Sequence, residues 1–295
     1  MAVALSPGDT VAVFGASGNV GKLVASRLAD TYKVRAISRS ASKAKSFLGD
    51  KCEIREVDLN AIARGEATSQ LQAALEGVQA LVICTGTTAF PTKAWSKSQG
   101  EDVTLPVLSA LFEAKFDKDA AIAKLDADGF NTPKNIDERA NLAILEAWKA
   151  SGSERKRCVL MSSIGVQRKD QMPFPILNTC GVLSAKSAAE AALKADAALS
   201  GYAYTVVRPG QLFGGPYDNN VYLGTLFQLD KENPQDVELA VGDTLLGDTL
   251  RSTLAEVIAQ TLEAGTCLNT DFAVVNVDGT PPSVEALRER LTALA

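Results

Sequence analysis

Short apolar runs alternate with amphipathic segments along most of this 295-residue chain. The apolar runs have the length of strands, and they predict six strands in the first two thirds, at 11–14, 33–37, 52–57, 80–84, 157–162 and 203–207. Apolar positions at helical spacing predict intervening helices at 20–29, 69–75, 136–150 and 179–198. Because alternating strands and helices are typical of a parallel sheet covered on both faces, the pattern predicts an α/β, doubly wound fold.

Two regions depart from this alternation. Residues 96–133 mix helical and charged stretches and predict an insertion, either a lid or partner surface or a dispensable solvated segment. After Gly210 comes a loop rich in Gly, Pro and Asn, then a strand near 237–241, a helix at 252–262, a strand at 272–277 and a last helix after Pro282. We expect one domain, 1–295, with a small C-terminal substrate-side lobe at about 211–295.

Composition narrows the class of protein. With 46% hydrophobic and 22% charged residues and no uninterrupted apolar run of bilayer length, we expect a globular chain with no membrane span. The net charge of −5 and the lack of a basic, aromatic-studded segment argue against nucleic acid as a partner. Residues 1–10 lack the pattern of a targeting segment, although one already removed remains an alternative.

Cysteine and histidine usage limits the chemistry. The five cysteines lie at wide spacings with no paired motif, which fits a reducing compartment and predicts no metal site. Cys52, Cys84 and Cys158 fall on predicted strands, so we expect them to be buried. The absence of histidine removes the commonest general base and every Ser-His arrangement.

The most informative motif is the glycine-rich turn between the first predicted strand and the following helix. Gly15 permits the tight turn, Gly18 lets the backbone approach a pyrophosphate, and Gly21 allows the helix to pack close to the strand. The free N–H groups of that helix would face the phosphates. The motif predicts a Rossmann-like dinucleotide site formed by Gly15, Ala16, Ser17, Gly18, Asn19, Val20 and Gly21.

The end of the second predicted strand indicates which dinucleotide is bound. A carboxylate there usually accepts from the ribose of NAD, whereas a guanidinium attracts the 2′-phosphate of NADP. Here the strand ends in Arg39, with Ser40 and Lys43 as further donors and no acidic residue beside them in the sequence. We therefore expect NADP, with a solvated basic patch as the alternative explanation.

Small and donor-rich segments follow each later strand of the predicted sheet. Ligands of such folds bind outside the carboxyl ends of the strands, so these segments are expected to share one site. Asp58 would flank the adenine, or alternatively only cap the following turn. The full set expected at the cofactor and substrate is Asp58, Leu59, Thr85, Gly86, Thr87, Ser162, Ser163, Pro209 and Gly210.

A family resemblance joins these motifs. The glycine pattern, the Ser162–Gly165 segment, Lys186 with Glu190, and the run from Thr205 to Gly210 resemble atypical short-chain dehydrogenase/reductases of the NmrA-like, NAD(P)-binding type. The segments 88–91, 181–183 and 214–217 look most like plastid members from plants and algae. The resemblance covers nearly the whole chain except 96–133, and it implies a plastid stroma, with the cytoplasm as the alternative.

The chain departs from this family at its best-known catalytic pair. Active members commonly place a Tyr four residues before a Lys, and the phenol exchanges a proton with the substrate. Lys186 is present, but position 182 is Val. The resemblance implies that Lys186 binds the cofactor and that Ser163 orients substrate; Tyr217 could replace the missing phenol or simply pack in its loop. Cys180 is a further thiol near the site, with nothing in the sequence that activates it.

Two functions follow as expectations. The first is an NADPH-dependent oxidoreductase acting on a small carbonyl or conjugated substrate. The second is a protein that binds NADP(H) without turnover, as a redox sensor or a plastid assembly factor. Val182 motivates the second function, and the insertion 96–133 would give it a partner surface.

Overall fold

The computed structural model describes residues 4–98, 100–214 and 235–294. Its strands are β1 (Thr10–Phe14), β2 (Lys33–Ser38), β3 (Glu53–Glu56), β4 (Ala80–Ile83), β5 (Arg157–Met161), β6 (Ala203–Pro209), β7 (Gln211–Phe213), β8 (Asp236–Val241), β9 (Asp248–Leu250) and β10 (Thr270–Val277). The described helices are α1 (Gly21–Leu28), α2 (Ala41–Leu48), α3 (Leu59–Ala63), α4 (Thr68–Leu75), α5 (Thr104–Glu113), α6 (Lys118–Ala127), α7 (Ala140–Ala150), α8 (Phe174–Leu177), α9 (Val182–Ser200), α10 (Arg251–Glu263) and α11 (Val284–Thr292).

Eight of the described strands form one twisted sheet in the order β3-β2-β1-β4-β5-β6-β10-β8. Every neighbouring pair from β3 to β10 is parallel, and β8 pairs antiparallel with β10. The sequence order reverses between β1 and β4, so this is where the crevice of a doubly wound sheet opens. The predicted α/β fold is confirmed.

The two faces of the sheet are covered by different helices. Side chains alternate across β1, so Val11 and Val13 pack in one core with residues of α1, α10 and α11. Ala12 and Phe14 pack in the opposite core with residues of α4, α7 and α9. This two-sided burial explains why β1, β4 and β5 read as continuous apolar runs.

Helix boundaries differ from the predictions where turn chemistry intervenes. The predicted helix 136–150 begins as a π-helical segment, Lys134–Arg139, that continues into α7. The predicted helix 179–198 is interrupted at Gly181, whose φ of 81° separates a short 3₁₀ turn from α9. Helix α2 was not predicted; it is short, and Ser40 caps it by accepting from the Lys43 N–H.

The C-terminal region divides into two parts. Strands β8 and β10 extend the main sheet, and α10 and α11 cover it. Strands β7 and β9 form a separate two-stranded parallel sheet beside the crevice, where Gln211, Leu212 and Gly247 line a cavity. This small sheet therefore contributes to the cavity wall, as do Leu246 and Arg251.

The insertion is folded around its own apolar cluster. The side chains that form this cluster are Trp95, Val103, Ala110, Ala121 and Leu125. Its last loop is fixed to α3 because the Asn60 amide donates to the side-chain oxygen of Asn131 at 2.5 Å and to the Gly129 carbonyl at 2.8 Å. Within the described ranges, no helix is both long and apolar enough to cross a membrane.

Candidate active site

The glycine positions in the turn after β1 have little or no room for a side chain. A Cβ on Gly21 would lie 2.2 Å from the Gly15 carbonyl oxygen, and one on Gly18 would lie 3.1 Å from the same atom. Gly15 itself has a φ of 74° and lies against the backbone of Cys84. The turn therefore brings bare backbone to the crevice, in the form that a pyrophosphate needs.

Serine side chains fix this turn relative to β2. The Ser38 hydroxyl donates to the Ser17 hydroxyl at 2.8 Å, and the Ala16 N–H donates to the Ile37 carbonyl at 3.2 Å. At the start of α1, Val20 provides no side-chain cap and the first turn holds no acidic residue. No side chain therefore competes with an anion at this helix end, where the Lys22 and Leu23 N–H groups donate to the carbonyls of Gly18 and Val20.

A cavity of about 200 Å³ lies over this turn. It brings together predicted residues from four strand ends, namely Gly15, Ser17, Gly18, Arg39, Asp58, Leu59, Thr85, Gly86 and Thr87. It also includes residues that the sequence did not indicate, among them Asn60 from α3 and Asn131 from the anchored end of the insertion. Asp58 caps α3 by accepting from the Asn60 N–H at 2.9 Å, so its capping and cleft-lining roles coexist.

Glu56 lies beside the basic residues at one end of this cavity, although it is distant from them in the sequence. Arg39 and Lys43 are both exposed, and Ser40 uses its hydroxyl to cap α2. Glu56, at the end of β3, accepts from the Ala41 N–H at 2.8 Å. A carboxylate therefore lies beside this basic segment in the fold, although none lies beside it in the sequence.

A second cavity of about 570 Å³ continues from the first, and both include Thr87 and Ala94. The predicted residues Ser163, Lys186 and Gly210 line it. Most of the other walls are apolar, formed by Ala89, Phe90, Ile164, Phe174, Leu177, Val182, Leu183, Leu212 and Leu246. The described residues therefore enclose one cleft with a polar end and an apolar end.

Lys186 meets a buried carboxylate where the two cavities join. Its ammonium lies 2.8 Å from Oδ1 of Asp137, whose other oxygen accepts from the Thr87 N–H at 3.1 Å. Burial raises the pKa of Asp137, and the charge of Lys186 opposes that rise. Gly86 leaves room for the pair, since a Cβ there would lie 3.2 Å from Asp137 and 3.4 Å from the ammonium.

Asp137 is a residue that the sequence analysis missed. It lies in the π-helical segment before α7, a distortion that occurs frequently at functional sites. The sequence offers only a weak signal for Asp137, which is that it lies at the start of the predicted helix 136–150, whose apolar residues pack against the sheet. Nearby, the Thr87 hydroxyl is buried and has no hydrogen-bond partner in the described part of the chain.

The segment after β5 separates its two serines. Ser162 is buried, donates its hydroxyl to Glu190 at 2.5 Å and lines neither cavity. Ser163 lines the larger cavity, and its hydroxyl donates to the Ile164 carbonyl at 3.0 Å. Asp243 holds the rest of this loop by accepting from the N–H groups of Gly165 and Gln167 at 2.8 and 2.9 Å.

A buried ion network lies under this loop. The Arg208 guanidinium is fully buried, donates to Glu190 at 2.6 and 3.0 Å, and pairs with Asp271. The network fixes the end of β6 just before Pro209 and Gly210, where a Cβ on Gly210 would lie 2.0 Å from the Gly247 carbonyl oxygen. These contacts make the floor of the cleft rigid.

No phenol lines the described cleft. Val182 lies four residues before Lys186 on α9 and lines the same cavity. Of the described tyrosines, which are Tyr32, Tyr202 and Tyr204, none lines either cavity, and Tyr217 lies outside the described residues.

The cysteines take structural positions. Cys52, Cys84 and Cys158 are buried as predicted. Cys180 is half-buried against the cluster of the insertion, and burial raises the pKa of its thiol, so it is not activated. Among the described residues, no group of three or more His, Cys, Asp or Glu side chains could hold a metal ion.

Solved structures of similar fold come from bacterial proteins. A protein of Bacillus halodurans named as an NAD-dependent epimerase/dehydratase has a TM-score of 0.63 and 20% identity, covering 96% of this chain and 100% of its own. An anaerobillin reductase of Escherichia coli has a TM-score of 0.58 and 15% identity over 92% and 100% of the two chains. A short-chain dehydrogenase/reductase of Veillonella parvula, solved in complex with NADP, has a TM-score of 0.53 and 14% identity over 93% and 99%.

Sequence similarity points to one family. No curated protein is significantly similar to the chain in sequence. The profile of the NAD(P)H-binding family matches residues 15–264, which includes the glycine turn and both cavities. The chain therefore belongs to the NAD(P)H-binding family.

Proposed function

We propose that this protein is an NADP(H)-dependent reductase of a small carbonyl or conjugated substrate, of the atypical, NmrA-like short-chain dehydrogenase/reductase type. The observation that carries the proposal is the continuous cleft with Arg39 in one cavity and Lys186 in the other. A dinucleotide spans such a crevice across the switch between β1 and β4, with its adenine half on the side of β2 and β3 and its nicotinamide half on the side of β5 and β6.

The residues present fit NADP(H). A Cβ on Gly21 would lie 2.2 Å from the Gly15 carbonyl oxygen, and the Thr87 hydroxyl is a buried donor without a partner among the described residues. Arg39, with Lys43, would bind the 2′-phosphate, and Asp58 and Leu59 would flank the adenine. NADPH, when bound, supplies a hydride for the reduction of an acceptor.

Lys186 and Asp137 would serve the nicotinamide half of the cleft. Asp137 accepts from the Thr87 N–H and lies 2.8 Å from the ammonium, so it fixes both groups in one geometry. The ammonium can donate to ribose hydroxyls and can stabilise negative charge on an acceptor oxygen. Ser163 lies in the same cavity, and its hydroxyl can orient that oxygen with a hydrogen bond once it turns away from the Ile164 carbonyl.

The apolar walls favour a substrate with an apolar body. Val182, Leu183 and Phe174 line the cavity that Lys186 also lines, so an apolar substrate bound against them would displace water from around the ammonium. In such surroundings a single well-placed ammonium acts more strongly on a developing charge than it would in water. A role for Tyr217 as proton donor stays a prediction, as does the stromal location that the resemblance implies, with the cytoplasm as its alternative.

Val182 favours a second candidate function. A valine cannot transfer a proton, and it occupies the cavity wall where the family's phenol is expected. On this alternative, the protein binds NADP(H) and reports the redox state to a partner without turnover.

The test is NADPH consumption with a panel of aldehydes, ketones, quinones and enones, beside a direct measurement of NADPH binding. The reductase predicts turnover by the wild type that Lys186→Met lowers by at least tenfold, while Ser184→Ala, an exposed position on the same helix turn, leaves it unchanged. Binding without any turnover in the wild type, but with turnover in Val182→Tyr, would assign the natural protein to the sensor class. Absence of NADPH binding would overturn both functions.

A further inference from the structure

Helix α5 in the insertion is apolar on two opposite faces. Its inner face packs in the cluster of the insertion through Val107, Ala110 and Leu111. Its outer face exposes an apolar row that continues past the end of the helix: Leu105 is 78% exposed, Leu108 56%, Phe112 74% and Phe116 76%. We call this row the outer stripe.

The outer stripe has the spacing of a helix-pairing seam. Leu105, Leu108 and Phe112 stand at i, i+3 and i+7, which is the a/d pattern by which two helices interdigitate. A helix that is apolar on all sides is normally covered. The polar positions of α5 are Thr104, Ser109 and Glu113. The stripe is thus an interaction surface rather than a solvated face.

We infer that a second copy of this chain covers the outer stripe, with the two α5 helices antiparallel about a two-fold axis. An axis between Leu108 and Ser109 places Leu105 of one copy against Phe112 of the other, so that a leucine meets an aromatic ring at both ends. An isologous pairing of this kind closes on itself.

Charges at the ends of the stripe specify the antiparallel direction. The same axis that pairs Leu105 with Phe112 brings Asp102 of one copy opposite Lys115 of the other. Asp102 and Lys115 are both exposed, and Lys115 has no ion-pair partner in the described part of the chain. A parallel arrangement would place each of these charges near the like charge of the other copy, and it would also align the two helix dipoles unfavourably.

The exposed area fits a weak, reversible dimer. If a fully exposed aromatic side chain offers about 200 Å², the two phenylalanines contribute roughly 300 Å² and the two leucines roughly 200 Å² per copy. Two copies would bury roughly 1,000 Å² in the stripe, which is near the lower limit for a specific interface. We therefore expect a concentration-dependent equilibrium rather than an obligate dimer.

Sedimentation velocity over roughly 1 to 200 µM protein, a span across the micromolar range of dissociation constants, tests the inference. We expect the wild type to shift from monomer to dimer, and the double variant Leu108→Glu/Phe112→Glu to weaken association at least tenfold. The matched control is Leu199→Glu, at the 88% exposed end of α9, which should associate as the wild type does. Circular dichroism would show that both variants are folded.

Charge reversal tests the direction of pairing. Lys115 has a φ of 53°, a conformation that Asp tolerates, so Lys115→Asp should weaken the dimer about threefold or more without strain. Asp102→Lys also removes a cap, because Asp102 accepts from the Thr104 N–H at 2.6 Å. Combining the two reversals should restore much of the affinity that Lys115→Asp loses.

Four outcomes would overturn the inference. A wild type that stays monomeric at the highest concentration has no such dimer, and a dimer that survives Leu108→Glu/Phe112→Glu uses another face. Failure of the double reversal to recover affinity rejects the antiparallel register. The inference would also be wrong if the monomer bound anionic lipid vesicles or a different protein and Leu108→Glu/Phe112→Glu abolished that binding, because the outer stripe would then serve that other partner.

Discussion

The substitution Gly21→Ala tests the glycine cradle at its most crowded point. The added Cβ would lie 2.2 Å from the Gly15 carbonyl oxygen and 2.7 Å from its carbonyl carbon, both of them backbone atoms. No side-chain rotation can relieve this contact. The first turn of α1 must therefore move away from β1 by about 1 Å to reach an ordinary contact distance.

The expected cost has two parts. Overpacking of this kind destabilises by roughly 1–3 kcal/mol, and the helix propensity of Ala offsets at most about 1 kcal/mol of it. The shift also moves the α1 amide groups away from the phosphates. Loss of one charge-assisted hydrogen bond, worth about 1.5–3 kcal/mol, weakens NADPH binding on the order of 10- to 100-fold.

Titration calorimetry with NADPH and urea unfolding would measure the two effects separately. Gly77→Ala is the matched control: Gly77 has a φ of 69°, and a Cβ added there would meet no heavy atom within 4 Å, so the substitution strains the backbone far from the cleft. It should lower stability and leave NADPH affinity unchanged. If Gly21→Ala bound NADPH as tightly as the wild type, the backbone of this turn would not be the phosphate site.

Three further predictions concern the charges around the cleft. Glu190→Ala leaves the guanidinium of Arg208 fully buried without its main partner, and the free energy of unfolding measured in urea should fall by roughly 3–5 kcal/mol; an unchanged value would show that the pair contributes nothing. Burial would raise the pKa of Asp271, but Arg208 and Lys194 together outweigh it and the net shift is downward. The charged form of Asp271 therefore stabilises the fold above the ordinary carboxyl pKa, and this contribution is lost as the pH falls through the lowered pKa of the folded state. Asp271→Asn should flatten the loss of stability below about pH 4, and an undiminished slope would contradict this. Glu56→Gln removes a negative charge from the region of Arg39 and should tighten NADPH binding a few-fold in calorimetry at low salt, whereas weaker binding would mean that Glu56 acts as a ligand.

The sheet could be predicted from the sequence because burial on both faces makes its parallel strands continuous apolar runs. The first strand, the glycine turn and Arg39 could also be predicted, because each depends on residues that are close together in the sequence. The predicted helix boundaries were wrong where a single residue changes the backbone conformation, as Gly181 does before α9. Helix α2 was not predicted because it is short and depends on the Ser40 cap.

The partners of the site residues could not be predicted, because they join elements that are distant in the chain. Lys186 was identified from its motif, but Asp137, which pairs with it, comes from an irregular turn of another helix. Glu56 reaches the basic segment only through the pairing of β2 with β3. Ser162 and Ser163 are adjacent in sequence, yet only the fold shows that the first bonds to Glu190.

The affinity of the Arg39→Glu variant for NADPH and for NADH is the most direct test of the account. We expect the reversal to weaken NADPH binding by tenfold or more, because a 2′-phosphate would then face a carboxylate, and to leave NADH binding nearly unchanged. Lys33→Glu, at the opposite end of β2, is the matched control and should alter neither affinity. Equal NADPH affinity in the wild type and in Arg39→Glu would contradict the assignment of this cleft to NADP(H).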